Sequence, residues 1–181
     1  MRKINEIFYS LQGEGYHTGT PAVFIRFSGC NLKCAFCDTR HEEGTMMTDA
    51  EILAEVRKYP ARMVVLTGGE PSLWIDSLLI DALHEAGKYV AVETNGTRPL
   101  PVAVDWVTCS PKQGAQLAVE HIDEVKVVYE GQDIAPYEQL PASRFFLQPC
   151  SCSNTAETVA CVLSHPRWRL SLQTHKLIDI R

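Results

Sequence analysis

The 181-residue chain is predicted to be an α/β protein, a partial and helix-poor βα barrel of parallel strands in a single domain, residues 1–181. Three observations lead there. Short apolar runs alternate with helix-period segments, the pattern of parallel strands buried on both faces and joined by crossovers. Several runs stop at Gly, Asn, Ser or Pro beside a polar residue, so that reactive groups collect at C-terminal strand ends, as in barrels. Later connections such as Tyr129–Ser143 are too rich in Pro and Gly for proper helices, and that segment receives no assignment.

Taken in order, Ala22–Phe27 reads as a strand that runs into a cysteine-rich loop. Thr48 and Glu51 have the spacing of a capping box, and the helix behind them places Ile52, Val56 and Tyr59 on one face. Arg62–Thr67 is a short apolar strand stopped by Gly68 and Gly69. A second helix is expected over Ile75–Ala86, with Gly87 as its stop. Strands follow at Tyr89–Thr94, Trp106–Ser110, Glu124–Val128 and Phe145–Gln148, then a helix over Asn154–Ser164 and a last strand at Arg169–Gln173. No repeat, low-complexity run or linker suggests a second domain.

Composition narrows the function classes. A formal net charge of −5 argues against a broad nucleic-acid or anionic-membrane surface. No run approaches the roughly 18 apolar residues of a membrane span. Residues Met1–Glu6 lack the apolar stretch of a secretory signal, so a cytoplasmic protein is expected. Seven cysteines are many, and an odd number argues for metal ligation or isolated thiols over a disulfide framework. Cys30, Cys34 and Cys37 fall within eight residues, whereas Cys109, Cys150, Cys152 and Cys161 are scattered and read as structural thiols.

The C-x3-C-x2-C spacing of Cys30, Cys34 and Cys37 supplies three soft thiolate ligands. An iron–sulfur cubane normally takes four, so three would leave one iron open to another ligand. His41 follows Cys37 by four positions, and the same residues could make a structural zinc site in a binding module. Four further segments fall at predicted strand ends. Gly68, Gly69, Glu70 and Pro71 follow an apolar strand, where paired glycines admit a ligand close to the backbone and Glu70 can accept from an ammonium group. Glu93–Gly96 ends the next strand, with Thr94 and Asn95 as its polar pair. Ser110, Pro111 and Lys112, and later Gln148, repeat the pattern. Each alone is more often a turn; their convergence at one barrel mouth favours a site.

The cysteine spacing together with the GGEP run resembles the radical S-adenosylmethionine (SAM) superfamily. Residues 11–15 (LQGEG), Arg26, the threonine two places after Cys37 and residues 173–176 (QTHK) are similar, more specifically, to the 7-carboxy-7-deazaguanine synthase family. That resemblance runs from about Asn5 to the C-terminus. It implies a (βα)6-type barrel and a [4Fe–4S] cluster on Cys30, Cys34 and Cys37 that chelates SAM and cleaves it reductively to a radical. The implied reaction converts 6-carboxy-5,6,7,8-tetrahydropterin to 7-carboxy-7-deazaguanine, releasing ammonia, on the route to queuosine. Phe36, Asp38, Gly68, Gly69, Glu70, Thr94, Asn95, Ser110, Pro111, Lys112 and Gln148 would line SAM. Leu11, Gln12, Gly13, Glu14, Thr67, Glu93 and His175 would meet the pterin, Arg26 would pair with its carboxylate, and Thr39 would ligate Mg²⁺. The terminal carboxylate of Arg181 would also reach the pterin. The resemblance further implies a homodimer and an electron donor such as flavodoxin. A glycyl-radical-enzyme activating protein is the rival within the superfamily, since it would share the cluster and the GGEP run.

Overall fold

The computed structural model describes residues 1–35, 37, 39 and 41–181. Among the described residues nine strands form one sheet, β1 (Arg2–Leu11), β2 (Pro21–Phe27), β3 (Thr45–Met47), β4 (Met63–Gly68), β5 (Tyr89–Thr94), β6 (Trp106–Cys109), β7 (Glu124–Tyr129), β8 (Arg144–Pro149) and β9 (Arg169–Leu170). Their order is β3-β1-β2-β4-β5-β6-β7-β8-β9. From β2 through β9 every pairing is parallel, as expected. The β1–β2 and β1–β3 pairings at one edge are antiparallel, and neither β1 nor β3 is foreseen by the sequence.

Four α-helices accompany the sheet, α1 (Asp49–Val56), α2 (Ser77–Glu85), α3 (Thr155–Ser164) and α4 (Thr174–Leu177). The capping box of α1 is formed, with the Thr48 hydroxyl accepting from Glu51 N–H and the Glu51 carboxylate accepting from Thr48 N–H. Asp76 caps α2, and Gly87 follows it at φ +74°, a conformation that a side chain would strain. Arg2 of β1 bonds Asp49 and Asp76 and so ties the sheet edge to the starts of both helices. The β5–β6, β6–β7 and β7–β8 connections contain no α-helix. The Tyr129–Ser143 connection instead carries a single 3-10 turn at Tyr137–Gln139 and is anchored by buried Ile134.

The strands alternate more sharply than buried parallel strands need to. One face of the sheet carries Val23, Ile25, Val64, Leu66, Val90 and Val92, packed on Ile52 and Val56 of α1 and on Leu79, Ile80 and Leu83 of α2. Further along, Val125, Val127, Phe145 and Leu147 continue that face into a second cluster with Trp168. The opposite face is apolar at the strand starts, where Ala22, Phe24, Met63, Val65 and Ala91 pack together. Two residues further along the same strands, side chains on this face are polar: Arg26, Thr67 and Glu93. A strand has period two, so this face is one continuous surface that turns polar toward the C-terminal strand ends.

Candidate active site

That polar end lines a cavity of about 510 Å³. Of the expected residues, Leu11, Gln12, Gly13, Glu14, Arg26, Cys30, Cys34, Cys37, Thr39, Thr67, Gly68, Gly69, Glu93, Thr94, Asn95, Ser110, Lys112, Gln148, His175 and Arg181 all border it. Phe36 and Asp38 lie outside the described residues. Pro111 and Glu70 are buried but do not border the cavity.

The Gly68–Gly69 pair has a structural reason. Gly69 N–H donates to the Phe27 carbonyl at 3.0 Å and Glu70 N–H to the Gly29 carbonyl at 2.9 Å, which locks the end of β4 against the chain entering the cysteine loop. A Cβ on Gly69 would run into the Gly29 carbonyl, and one on Gly68, at φ +118°, into the backbone of Phe27. The glycines therefore hold the cysteine loop over the strand ends.

Glu70 works behind the cavity wall. It is 0% exposed, and its Oε1 accepts from Ser72 N–H at 3.0 Å and from the Thr94 hydroxyl at 2.7 Å. Its Oε2 accepts from Asn95 N–H at 2.8 Å. Asn95 in turn donates to Asn31 Oδ1 at 3.0 Å, and its Nδ2 lies 4.0 Å from Cys30 Sγ. Glu70 thus joins the ends of β4 and β5 to the cysteine loop. The sequence reading placed it on a ligand ammonium; in the structure both its oxygens serve the protein.

All seven cysteines are free thiols. Cys30, Cys34 and Cys37 share the cavity wall. Burial pushes the Cys30 thiol up, and Glu70, Cys34 and Cys37 add to that push, so a cation among these sulfurs would relieve it. Among the described residues no three Cys, His, Asp or Glu side chains converge on a single-ion site. In a cubane each thiolate binds a different iron, so its ligands need not converge on one point. The donor set fits an iron–sulfur cluster. Lys112 lies beside the loop, its Nζ donating to Ser110 Oγ at 2.7 Å; burial lowers its pKa against the pull of the Cys34 thiolate. Cys109 is different in kind: burial pushes it up to about 12, and it is an inert core thiol. Cys150, expected to be structural, borders the cavity at the end of β8.

Across from the cysteines, Glu6 of β1 accepts from Arg26 Nε at 2.8 Å and also pairs with the Arg181 guanidinium. Both guanidinium groups lie over the Phe8 ring, at 5.7 and 4.9 Å from its centre. Residues 11–15 and 173–176 meet as a clasp. Thr174 N–H and its hydroxyl both donate to the Gly13 carbonyl at 2.9 Å, and a Cβ on Gly13 would run into the His175 ring. Gln173 Nε2 donates to Glu14 Oε1 at 2.9 Å. Beneath the clasp stands Lys126 of β7, which the sequence reading missed. Its Nζ donates to Glu14 Oε2 at 2.6 Å and to Glu93 Oε1 at 3.3 Å. The signal was present in Glu124–Val128, where charged residues alternate with valines and so mark a polar inner face.

A fold with three free thiols, a Gly-Gly-Glu hinge and polar strand ends around one cavity agrees with comparisons to known proteins. Residues 24–125 match the model of the radical SAM superfamily, to which the chain belongs. It is 80% identical, over the full length of both chains, to a 7-carboxy-7-deazaguanine synthase of Bacteroides thetaiotaomicron. It is 44% identical to that of Nitratidesulfovibrio vulgaris, covering 98% of each chain. The crystal structure of QueE from Escherichia coli superposes with a TM-score of 0.80 at 32% identity, over 94% of this chain and 93% of that one. Within the superfamily, the chain belongs to the 7-carboxy-7-deazaguanine synthase family.

Proposed function

We propose that this enzyme converts 6-carboxy-5,6,7,8-tetrahydropterin to 7-carboxy-7-deazaguanine with loss of ammonia, using a [4Fe–4S] cluster on Cys30, Cys34 and Cys37 and SAM. The observation that carries this reading is a single cavity with three thiols on one wall and Arg26, Glu14 and Glu93 on another. The cluster and SAM, when bound, supply the radical that starts the rearrangement. The chain supplies position, charge and exclusion of water.

Arg26 is the group for the substrate carboxylate. Glu6 engages only its Nε, which leaves the outer guanidinium nitrogens for a planar two-point contact. Glu14 and Glu93 present carboxylate oxygens suited to the amino and N3–H donors of a pterin. His175, stacked on the Gly13 turn, closes that side of the cavity. Thr39, which borders the cavity, is the residue that would hold a Mg²⁺ ion through its hydroxyl, and the ion would supply positive charge opposite the substrate carboxylate. Seven free thiols fit a reducing cytoplasm, and the reductant is a one-electron donor such as flavodoxin. A homodimer, as the family resemblance implies, and a single domain complete the reading.

The test is steady-state turnover of the cluster-loaded enzyme with SAM and carboxy-tetrahydropterin. Arg26→Gln is expected to raise KM far more than Arg26→Lys does, and Thr39→Ala to lose the response to added Mg²⁺. An unchanged KM in Arg26→Gln would remove the carboxylate role. An unchanged rate and metal dependence in Thr39→Ala would remove the magnesium site.

A further inference from the structure

We propose that Lys126 is a positioning and specificity residue, the charge hub that holds the Glu14 and Glu93 carboxylates together as the acceptor pair for the pterin's donor edge. This rests on the functional reading above and adds to it a residue that neither touches the cluster nor forms part of the quoted motifs. Lys126 stands on the inner face of β7, with a side chain only 6% exposed. Its ammonium lies 2.6 Å from Glu14 Oε2 and 3.3 Å from Glu93 Oε1. The three come from distant parts of the chain, so the fold, not local sequence, makes the cluster.

The remaining contacts show what the hub leaves over. Gln173 takes Glu14 Oε1, Gln12 donates to Glu93 Oε1 at 2.9 Å, and the Thr67 hydroxyl reaches Glu93 Oε2 at 3.4 Å. Each carboxylate oxygen offers about two acceptor positions, so both acids keep capacity toward the cavity they border. Two carboxylates brought side by side repel each other, and the Lys126 ammonium between them offsets that repulsion. Burial is the largest single influence and would raise the Glu14 carboxyl, but Lys126, joined by Gln173 and His175, outweighs it and holds the group down to about 2. Lys126 is itself raised far above its usual value by both acids, so it stays an ammonium and does not serve as a proton donor. The other charged groups facing the triad are Glu124 on β7, His175 on α4 and Lys112 after β6.

The chemistry selects a ligand. A 2-amino-4-oxo pyrimidine edge presents adjacent N–H donors to ionised acceptors. Its 2-oxo counterpart presents an acceptor at the same place and is repelled, and sites built to bond a particular N–H reject analogues that lack it. With Lys126 neutralised, burial is left to raise the Glu14 carboxyl, the acid takes up a proton more readily and becomes a donor, and the preference collapses.

The test is calorimetric titration of the anaerobic, cluster-loaded, SAM-bound enzyme, without reductant, using 6-carboxypterin and 6-carboxylumazine. Wild type is expected to favour the pterin strongly, with affinity flat from pH 5 to 8. Lys126→Met should bind the pterin on the order of 30-fold or more weakly, the loss typical when one partner of a buried charge pair is removed. It should also lose discrimination against the lumazine and gain an acid limb within that pH range. Lys126→Gln, which keeps donors but not charge, should behave like Met and serves if Met fails to fold. Lys126→Arg should recover discrimination and the flat profile. Neutral variants that retain wild-type preference and pH independence would overturn the inference alone. A wild type that binds neither ligand would overturn the substrate reading and this inference with it.

Discussion

Replacing Glu70 by Gln tests how the cysteine loop is held. Its Oε1 accepts two donors, Ser72 N–H and the Thr94 hydroxyl, and its Oε2 accepts Asn95 N–H, all inside a side chain with no exposed surface. An amide of the same shape has one acceptor oxygen and one NH₂ group. If the oxygen faces Ser72, the NH₂ meets Asn95 N–H; if it is turned over, the NH₂ meets Ser72 N–H. Either way one buried backbone donor is orphaned, at a cost of about 1–3 kcal/mol. Near 2 kcal/mol, a chain of this size should lose about 4–8 °C in melting temperature, at about 2–4 °C per kcal/mol. The damage should be local, because Asn95 also bonds Asn31 and approaches Cys30. Differential scanning calorimetry and iron content after anaerobic reconstitution are the assays, with weaker SAM binding expected alongside the lower melting temperature. A variant that melts within about 1 °C of wild type and binds SAM equally well would refute the clamp, since it would leave no room for an orphaned donor.

Three further outcomes follow from the same contacts. Gly69→Ala should fold with its strand intact yet incorporate little iron, because the new Cβ must push the Gly29 carbonyl and with it the cysteine loop; normal iron content would contradict the packing. Glu51→Ala removes half of an exposed capping box and should lower the melting temperature slightly while turnover stays at the wild-type level; a variant melting above wild type would contradict the cap. The Glu14–Lys126 pair sets an acid dependence. With the Glu14 carboxyl held at about 2 against an ordinary 4.5, its stabilisation is complete above about pH 4.5 and is lost as pH falls toward 2. Urea unfolding of Glu14→Gln should therefore show lower stability at pH 7 but a shallower decline below pH 4.5, and parallel curves would contradict the pairing.

The sequence and the structure agree most where local signals are strong. The capping box at Thr48 and Glu51, the glycine stop at Gly87 and the valine-rich parallel strands are near-neighbour patterns, and each forms where expected. β1 escaped because its alternation is broken. The register shifts between Ile4 and Glu6, so Ile4 and Ile7 pack on the same face although they are three residues apart. Such a bulge erases the period-two signature. The last strand is shorter than its sequence predicts: it ends at Leu170, and buried Ser171 and Gln173 bond site residues before the chain turns into α4.

The site divides in the same way. Its cysteines and Gly-Gly hinge are legible as motifs, since their spacing is local. The clasp between residues 11–15 and 173–176, the Glu6 bridge between Arg26 and Arg181, and the Lys126 hub join residues far apart in sequence. No spacing rule reveals those; only the sheet order does. Glu70 is legible as part of a motif, but its burial and its three donors, which make it a brace for the loop, appear only in the fold.

The most direct test of the central claim is the product balance of one anaerobic reaction containing reconstituted enzyme, SAM, reductant and 6-carboxy-5,6,7,8-tetrahydropterin. 7-Carboxy-7-deazaguanine and ammonia are expected in equal amounts, and neither when Cys34 is replaced by Ala. Cleavage of SAM with the pterin recovered unchanged would contradict the claim.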